Sequence, residues 1–169
     1  MGVGKTAVGQ EIARQLGIAF TDTDAEIERA AAMSIPEIFT RDGEAFFRGR
    51  ESVVLQRLLE GPRGVISTGG GAWIQPQNRT LIRASGIAVW LDASLDTLWA
   101  RVRQRPTRPL LLTQNPRETL ATLLETRRPV YARADLRVPT DSESDIETTA
   151  RRVIKAIHDA RPAFLLEMK

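Results

Sequence analysis

The chain has 169 residues, 42% of them hydrophobic and 27% charged. That balance excludes collagen-like, mucin-like and wholly disordered classes and suits one core of ordinary size. With no Cys and a single His, thiol nucleophiles, Cys-based metal sites, disulfide scaffolds and a Ser-His-Asp triad have almost nothing to build from.

Charge says little about partners. The 24 basic and 21 acidic residues leave a formal charge of +3, and aromatic residues are only 5%, with no basic stripe interleaved with stacking rings. No apolar run approaches the roughly 20 residues that span a bilayer, and no signal-peptide pattern is visible. A soluble, cytoplasmic protein with no nucleic-acid or membrane partner is expected.

In chain order, strand-like runs alternate with helical ones, the pattern of an α/β domain with a parallel sheet. Residues 6–16 carry Val8, Ile12, Ala13 and Leu16 at helical spacing, and Gly17 can end that helix. A short apolar strand over 18–20 and a helix over 24–32 follow. Ser34 with Glu37 three residues later forms a capping box for a short helix that Asp42-Gly43 should break. Residues 44–59 form the next helix, with Phe47, Val54, Leu55, Leu58 and Leu59 on its apolar face. A buried strand over 64–68 runs into three glycines, and Pro76 opens a helix to about residue 83.

Residues 87–91 are a strongly apolar strand, and Ser94 caps a helix to about residue 104. The polar, Pro-containing segment 105–115 reads as an active-site lid. Asn115 can cap the next helix, with Pro116 at its first position. A last strand over 135–138 leads to a terminal helix opened by a Ser144/Glu147 capping box. His158, on that helix, has no carboxylate and nucleophile to frame it and reads as structurally ordinary.

Four motifs carry chemistry. The first is Gly2-Val3-Gly4-Lys5-Thr6 at a helix start, which looks like the end of a phosphate-binding P-loop. Glycines let backbone amides turn inward around phosphate oxygens, and the helix N-terminus adds orphan N–H donors. Lys5 would reach the β- and γ-phosphates and Thr6 would ligate Mg²⁺. Only Lys5, Lys155 and Lys169 are lysines; elsewhere Arg supplies the base, so Lys5 is a discriminating choice. The second is Asp22-Thr23-Asp24 after a strand. Alternation puts both carboxylates on one side of an extended segment, able to hold a Mg²⁺ water and orient a substrate hydroxyl; a helix cap plus a first-turn acid is the plainer reading. The third is Gly69-Gly70-Gly71, an entropically expensive run that implies close approach to a ligand or another segment. The fourth is the set Arg48, Arg108 and Arg127, whose planar forks match carboxylates and phosphates at two points. A denser cluster, Arg101, Arg103, Arg105 and Arg108, reads either as a solvated helix end or as a site for a small polyanion.

Taken together, these residues resemble shikimate kinase from Met1 to about Thr140. The matching pieces stand in the family's order: Met-Gly-Val-Gly-Lys-Thr, Phe20-Thr-Asp-Thr-Asp24, Ile38-Phe-Thr-Arg-Asp-Gly-Glu44, Phe47-Arg48, Thr68-Gly-Gly-Gly-Ala72, Thr107-Arg-Pro-Leu-Leu111 and Arg127-Arg-Pro-Val-Tyr131. The resemblance implies a P-loop NTPase-type three-layer fold: a central parallel sheet, helices on both faces and a mobile lid, in one kinase domain over 1–169. It implies transfer of the ATP γ-phosphoryl group to the 3-hydroxyl of shikimate, with Mg²⁺, by a monomer.

By the same resemblance, Gly2, Val3, Gly4, Lys5, Thr6 and Ala7 bind ATP, and Arg108 in the lid meets its phosphates. Asp24 contacts the shikimate hydroxyls as the candidate base. Arg48 and Arg127, with the Gly70 backbone, hold the carboxylate and ring. Thr6 ligates Mg²⁺, and Asp22 holds it through water. Lys5, Asp24 and Arg108 form the catalytic set.

Two departures are visible. The strand that feeds a P-loop, and the loop's first Gly, would fall before Met1, so the chain as written is expected to be unstable or inactive. The C-terminal loop that lies over adenine in family members reads Pro139-Thr-Asp-Ser-Glu-Ser144, with no Arg, and offers no adenine contact. A gluconate kinase shares fold and P-loop, but the Asp-x-Asp, triple-Gly and Arg-x-Pro-Val-Tyr set favours shikimate. A non-catalytic ligand-sensing descendant would be marked by loss of Lys5 or Asp24, and both are present.

Overall fold

The computed structural model describes residues 2–103, 111 and 113–166. The elements follow the expected alternation: α1 (Lys5–Leu16), β1 (Ala19–Asp22), α2 (Thr23–Ala31), α3 (Ile35–Leu59), β2 (Gly64–Ser67), a 3-10 turn (Ala72–Ile74), α4 (Pro76–Ser85), β3 (Val89–Ala93), α5 (Leu95–Val102), α6 (Pro116–Tyr131), β4 (Leu136–Thr140), α7 (Ile146–Ala160) and α8 (Pro162–Leu166).

Local signals account for most boundaries. Gly17 ends α1 in the left-handed conformation at φ 68°. The capping box at α3 forms, with the Ser34 hydroxyl accepting from Glu37 N–H and the Glu37 carboxylate accepting from Ser34 N–H. Ser94 caps α5 by accepting from Thr97 N–H. The expected break at Gly43 forms: its φ 83° and ψ 170° are non-helical, and the helical segment Ile35–Leu59 is kinked there into two parts. Two expectations are corrected. The N-cap of α7 is Asp145, whose carboxylate accepts from Thr148 N–H at 2.6 Å, so the Ser144/Glu147 box is not the device used; a carboxylate at that position also favours the helix dipole. Asn115 stands at the start of α6, but its side chain makes no capping bond.

The strands pair in parallel, β1 with β2 (Asp22 beside Ser67) and β3 with β4 (Ala93 beside Thr140). The expected single sheet is therefore two parallel pairs among the described residues. A cavity of about 400 Å³ lies between the facing edges of β2 and β3, lined by Val65 and Leu91 from the strands and Val8 and Ile12 from α1.

Helices cover both faces, so the three-layer expectation holds. On one side Val8, Ile12, Val138, Ala150, Val153 and Ile157 join α1 and α7 to β4. On the other, α6 is fixed to the second strand pair through Asp92, only 6% exposed. Its Oδ2 accepts from Arg128 Nη2 at 3.0 Å and from Arg137 Nε at 2.8 Å, and both guanidiniums flank the Trp90 ring. A buried carboxylate is tolerated when paired in this way. The result places Arg127 and Tyr131, on the same helix, over the carboxyl ends of the strands.

A third cluster, Ile27, Ile38, Phe47 and Val54, locks α2 against α3 and thereby sets Asp24 and Arg48 relative to one another. Ile38 is 1% exposed. Ile38→Ala should cost about 2–5 kcal/mol by removing buried methyl groups and leaving a cavity. Denaturant unfolding measures this; a loss under about 0.5 kcal/mol would show that the cluster does not hold these helices.

Candidate active site

The Gly2–Thr6 loop takes the shape that its glycines permit. Gly2 and Gly4 have φ 73° and 91°, in the left-handed region that disfavours other residues. Gly4 is the N-cap of α1, with no side-chain capping bond and no acid in the helix's first turn. The first N–H donors of a 12-residue helix thus face the cavity with positive potential and a lysine beside them.

That cavity, about 810 Å³, is lined by Gly2, Gly4, Lys5, Thr6, Asp22 and Asp24, and on its far side by Arg101, Thr140 and Asp145. Arg101 donates from Nη1 to Val3 O at 3.1 Å and from Nη2 to Asp141 O at 2.7 Å, tying the loop to the β4–α7 connection. The sequence marked Arg101 only as one of an arginine cluster; among the described residues it is the member that borders the cavity. Arg108, the expected phosphate-binding arginine, and most of the 105–115 segment lie outside the described residues.

The Asp22/Asp24 pair takes the plainer of its two expected backbone forms, a helix cap followed by a first-turn acid. Asp22 ends β1 and caps α2, accepting from Asp24 N–H at 3.0 Å; Asp24 is in the helix's first turn, not on an extended strand. Both still line the same cavity. Thr6 Oγ1 donates to Asp22 Oδ2 at 2.8 Å. Burial first, then the neighbouring Asp22 carboxylate, push the Asp24 pKa up, while Lys5 and Arg48 pull it back. A carboxylate with a raised pKa is better able to accept a proton than an exposed one.

The three glycines explain themselves by what lies against them. A Cβ on Gly69 would fall 2.8 Å from Asp24 Oδ1 and 2.9 Å from Glu51 Oε1. One on Gly70 would lie 3.2 Å from Tyr131 Oη and 3.9 Å from Arg127 Nη1, and one on Gly71 would collide with the Arg48 guanidinium. The expected close approach is thus made by side chains from α2, α3 and α6, and it gathers Asp24, Arg48, Gly70 and Arg127 at one place.

Glu51 is the residue that motif reading missed. It is 1% exposed, and Arg48 Nη1 donates to its Oε2 at 2.8 Å, while Glu44 accepts from Arg48 Nη2 at 3.1 Å. Its other oxygen, Oε1, has no partner among the described residues. An acid three residues after Arg48 on a helix was the available signal. Burial works against the Arg48 charge, yet the hydrogen bonds to Glu51 and Glu44 prevail and hold its pKa above the usual range. Burial raises the Glu51 pKa, with Arg48 opposing.

No group of three or more His, Cys, Asp or Glu side chains among the described residues could hold a metal ion by itself. Magnesium does not need one, because it is commonly held by one or two carboxylates together with substrate phosphates. The Thr6 hydroxyl and Asp22 carboxylate, hard oxygen donors in mutual contact beside the loop, fit that requirement.

A glycine loop with a lysine at a helix N-terminus, beside a cluster of charged side chains, is the arrangement of an ATP-dependent phosphotransferase of the P-loop class. A sequence model of one such family, described as SKI: Shikimate kinase, matches residues 1–158. The chain belongs to the shikimate kinase family. It is 59% identical over 157 residues to the shikimate kinase of Ruegeria pomeroyi, covering 93% of this chain and 80% of that protein. The same identity and length hold for the Cereibacter sphaeroides shikimate kinase, with 93% and 78% covered. The structure of shikimate kinase from Acinetobacter baumannii in complex with shikimate matches at a TM-score of 0.88 and 37% identity, over 95% of this chain and 90% of that one. No helix among the described residues is long and apolar enough to cross a membrane.

The Glu51 shift gives a signed test. A carboxyl whose folded pKa is raised contributes stability in full below its unfolded value, and loses it as pH rises through the folded value. Glu51→Gln keeps the neutral form at every pH. Its stability should match the wild type near pH 4 and gain on it as pH rises toward 7, by denaturant unfolding at several pH values. A gap that is flat, or that favours the wild type at neutral pH, would contradict the burial argument.

Proposed function

We propose that this chain is a single P-loop kinase domain that transfers the γ-phosphoryl group of ATP to the 3-hydroxyl of shikimate, giving shikimate 3-phosphate and ADP. The observation that carries this reading is the continuity of the Gly2–Thr6 cradle with the Gly69–Gly71 turn through Asp22 and Asp24. Asp24 both lines the loop's cavity and lies against Gly69, which supports binding of donor and acceptor side by side, as in-line phosphoryl transfer demands.

Position supports the roles of the described residues, and family membership supports that of Arg108. The Gly2, Val3, Gly4, Thr6 and Ala7 backbone and the Lys5 ammonium hold the nucleotide phosphates. Asp24, poised by burial, orients the acceptor hydroxyl and accepts its proton. Arg48, already fixed by Glu51 and Glu44, and Arg127 bind the acceptor carboxylate beside Gly70. Arg108 is assigned to the γ-phosphate, where a cation offsets charge on the moving group. Thr6 and Asp22 would hold Mg²⁺, which supplies further neutralisation of phosphate charge when bound. All of these groups come from one chain, and we infer a monomeric cytoplasmic enzyme.

Two measurements on the enzyme test the reading. ADP release should require shikimate and Mg²⁺; release with gluconate and none with shikimate would assign the site to a different acceptor. Arg127→Ala should weaken shikimate binding by about 10- to 150-fold, the equivalent of about 1.5–3 kcal/mol for a charged hydrogen bond, with ATP binding nearly unchanged. A lowered melting temperature with unaltered shikimate affinity would reduce Arg127 to a packing role.

A further inference from the structure

The Gly69–Ala72 turn is closed by Ala72 N–H donating to Gly69 O at 3.1 Å. Gly71, at its third position, has φ −81° and ψ −26°, and Gly70 is not among the glycines with positive φ. These values describe a type I turn. Its soft element is the central peptide joining Gly70 to Gly71. Turning that peptide over gives a type II turn, which needs positive φ at the third position and is open to glycine. Nothing in the glycine sequence itself chooses between the two.

In a trans peptide the C=O and N–H point to opposite sides. A flip would therefore exchange the Gly70 carbonyl oxygen and the Gly71 N–H between the two faces of the turn. One face is held by Tyr131, whose hydroxyl donates to Gly70 O at 2.8 Å. The guanidinium of Arg48 lies against Gly71. A second strap, Trp73 Nε1 donating to Val130 O at 3.0 Å, binds the segment after the turn to the residue before Tyr131. Among the described residues, neither the Gly70 nor the Gly71 N–H has a protein acceptor.

We propose that Tyr131 is a positioning residue that keeps the Gly70–Gly71 peptide in its type I orientation. The carbonyl oxygen is then turned to the phenol, and the Gly71 N–H is presented with Arg48 and Arg127 to the acceptor's carboxylate. In the other orientation a carbonyl oxygen would face that anion and repel it. The inference rests on the reading of Arg48, Gly70 and Arg127 as the carboxylate site, and it adds the device that makes this glycine turn a donor.

Tyr131→Phe removes the hydroxyl and keeps the ring. Steady-state kinetics should show the KM for shikimate rising about five-fold, the weight of one ordinary hydrogen bond. The kcat at saturating shikimate, the KM for ATP and the melting temperature should stay near wild type. An unchanged shikimate KM would overturn the proposal. So would a joint rise in both KM values with a lowered melting temperature, which is what loosened packing alone predicts. Arg127→Ala run in parallel separates the two levels. If it too leaves the shikimate KM unchanged, the carboxylate site itself has been misplaced; if it raises that KM while Tyr131→Phe does not, only the role of Tyr131 fails.

Discussion

The gathering of Asp24, Arg48 and Arg127 depends on three consecutive residues having no side chains. Asp24, Glu51, Tyr131, Arg127 and Arg48 approach the backbone of Gly69–Gly71 from three different helices. Each glycine lowers backbone stability by roughly 0.5–1 kcal/mol relative to alanine in regular structure. The return is that charged groups from α2, α3 and α6 meet at the end of β2. The helices are fixed independently: α2 and α3 by the Ile27–Ile38–Phe47–Val54 cluster, and α6 by Asp92. The turn is therefore the meeting point of parts already held rigid, which is how a binding site acquires geometry before its ligand arrives.

Electrostatics extend the same economy. Arg48 is held by Glu51 and Glu44, so its fork does not have to be ordered when an anion binds. Glu51 is buried with one oxygen unpartnered among the described residues, and its raised pKa reflects that burial. Asp24 is raised by burial and by Asp22, and restrained by Lys5 and Arg48. Asp24 is thus tuned by groups assigned to both substrates: Lys5 on the proposed nucleotide side and Arg48 on the proposed acceptor side. Two carboxylates near one another, each opposed by a cation, keep the cleft responsive to the arrival of further charge.

What could be read from the sequence was whatever backbone or chemistry demands of a residue type. Gly2, Gly4 and the triple glycine were legible because only glycine tolerates those conformations or approaches. Lys5 stood out against a background of arginine. The Ser34–Glu37 box and the Ser94 cap formed as written because their hydrogen bonds are local. The illegible parts were those decided by competition or by tertiary contact. Asp145 displaced Ser144 as a cap because two neighbouring residues could serve equally. Whether Asp22 and Asp24 formed an alternating pair or a helix cap with a first-turn acid stayed open, because alternation does not reveal where a helix starts. Glu51 looked like one more charge on a long helix, because its burial comes from the turn packed against it. The parting of the sheet into two pairs is likewise a property of the assembled strands, not of any one of them.

The most direct test of the glycine turn as the organising element is Gly71→Ala, measured by titrating the protein separately with shikimate and with ATP. One added methyl group collides with the Arg48 guanidinium and touches nothing assigned to the nucleotide. A turn that organises the acceptor site predicts a large loss of shikimate affinity with ATP affinity preserved. Undiminished shikimate binding in that variant would contradict it.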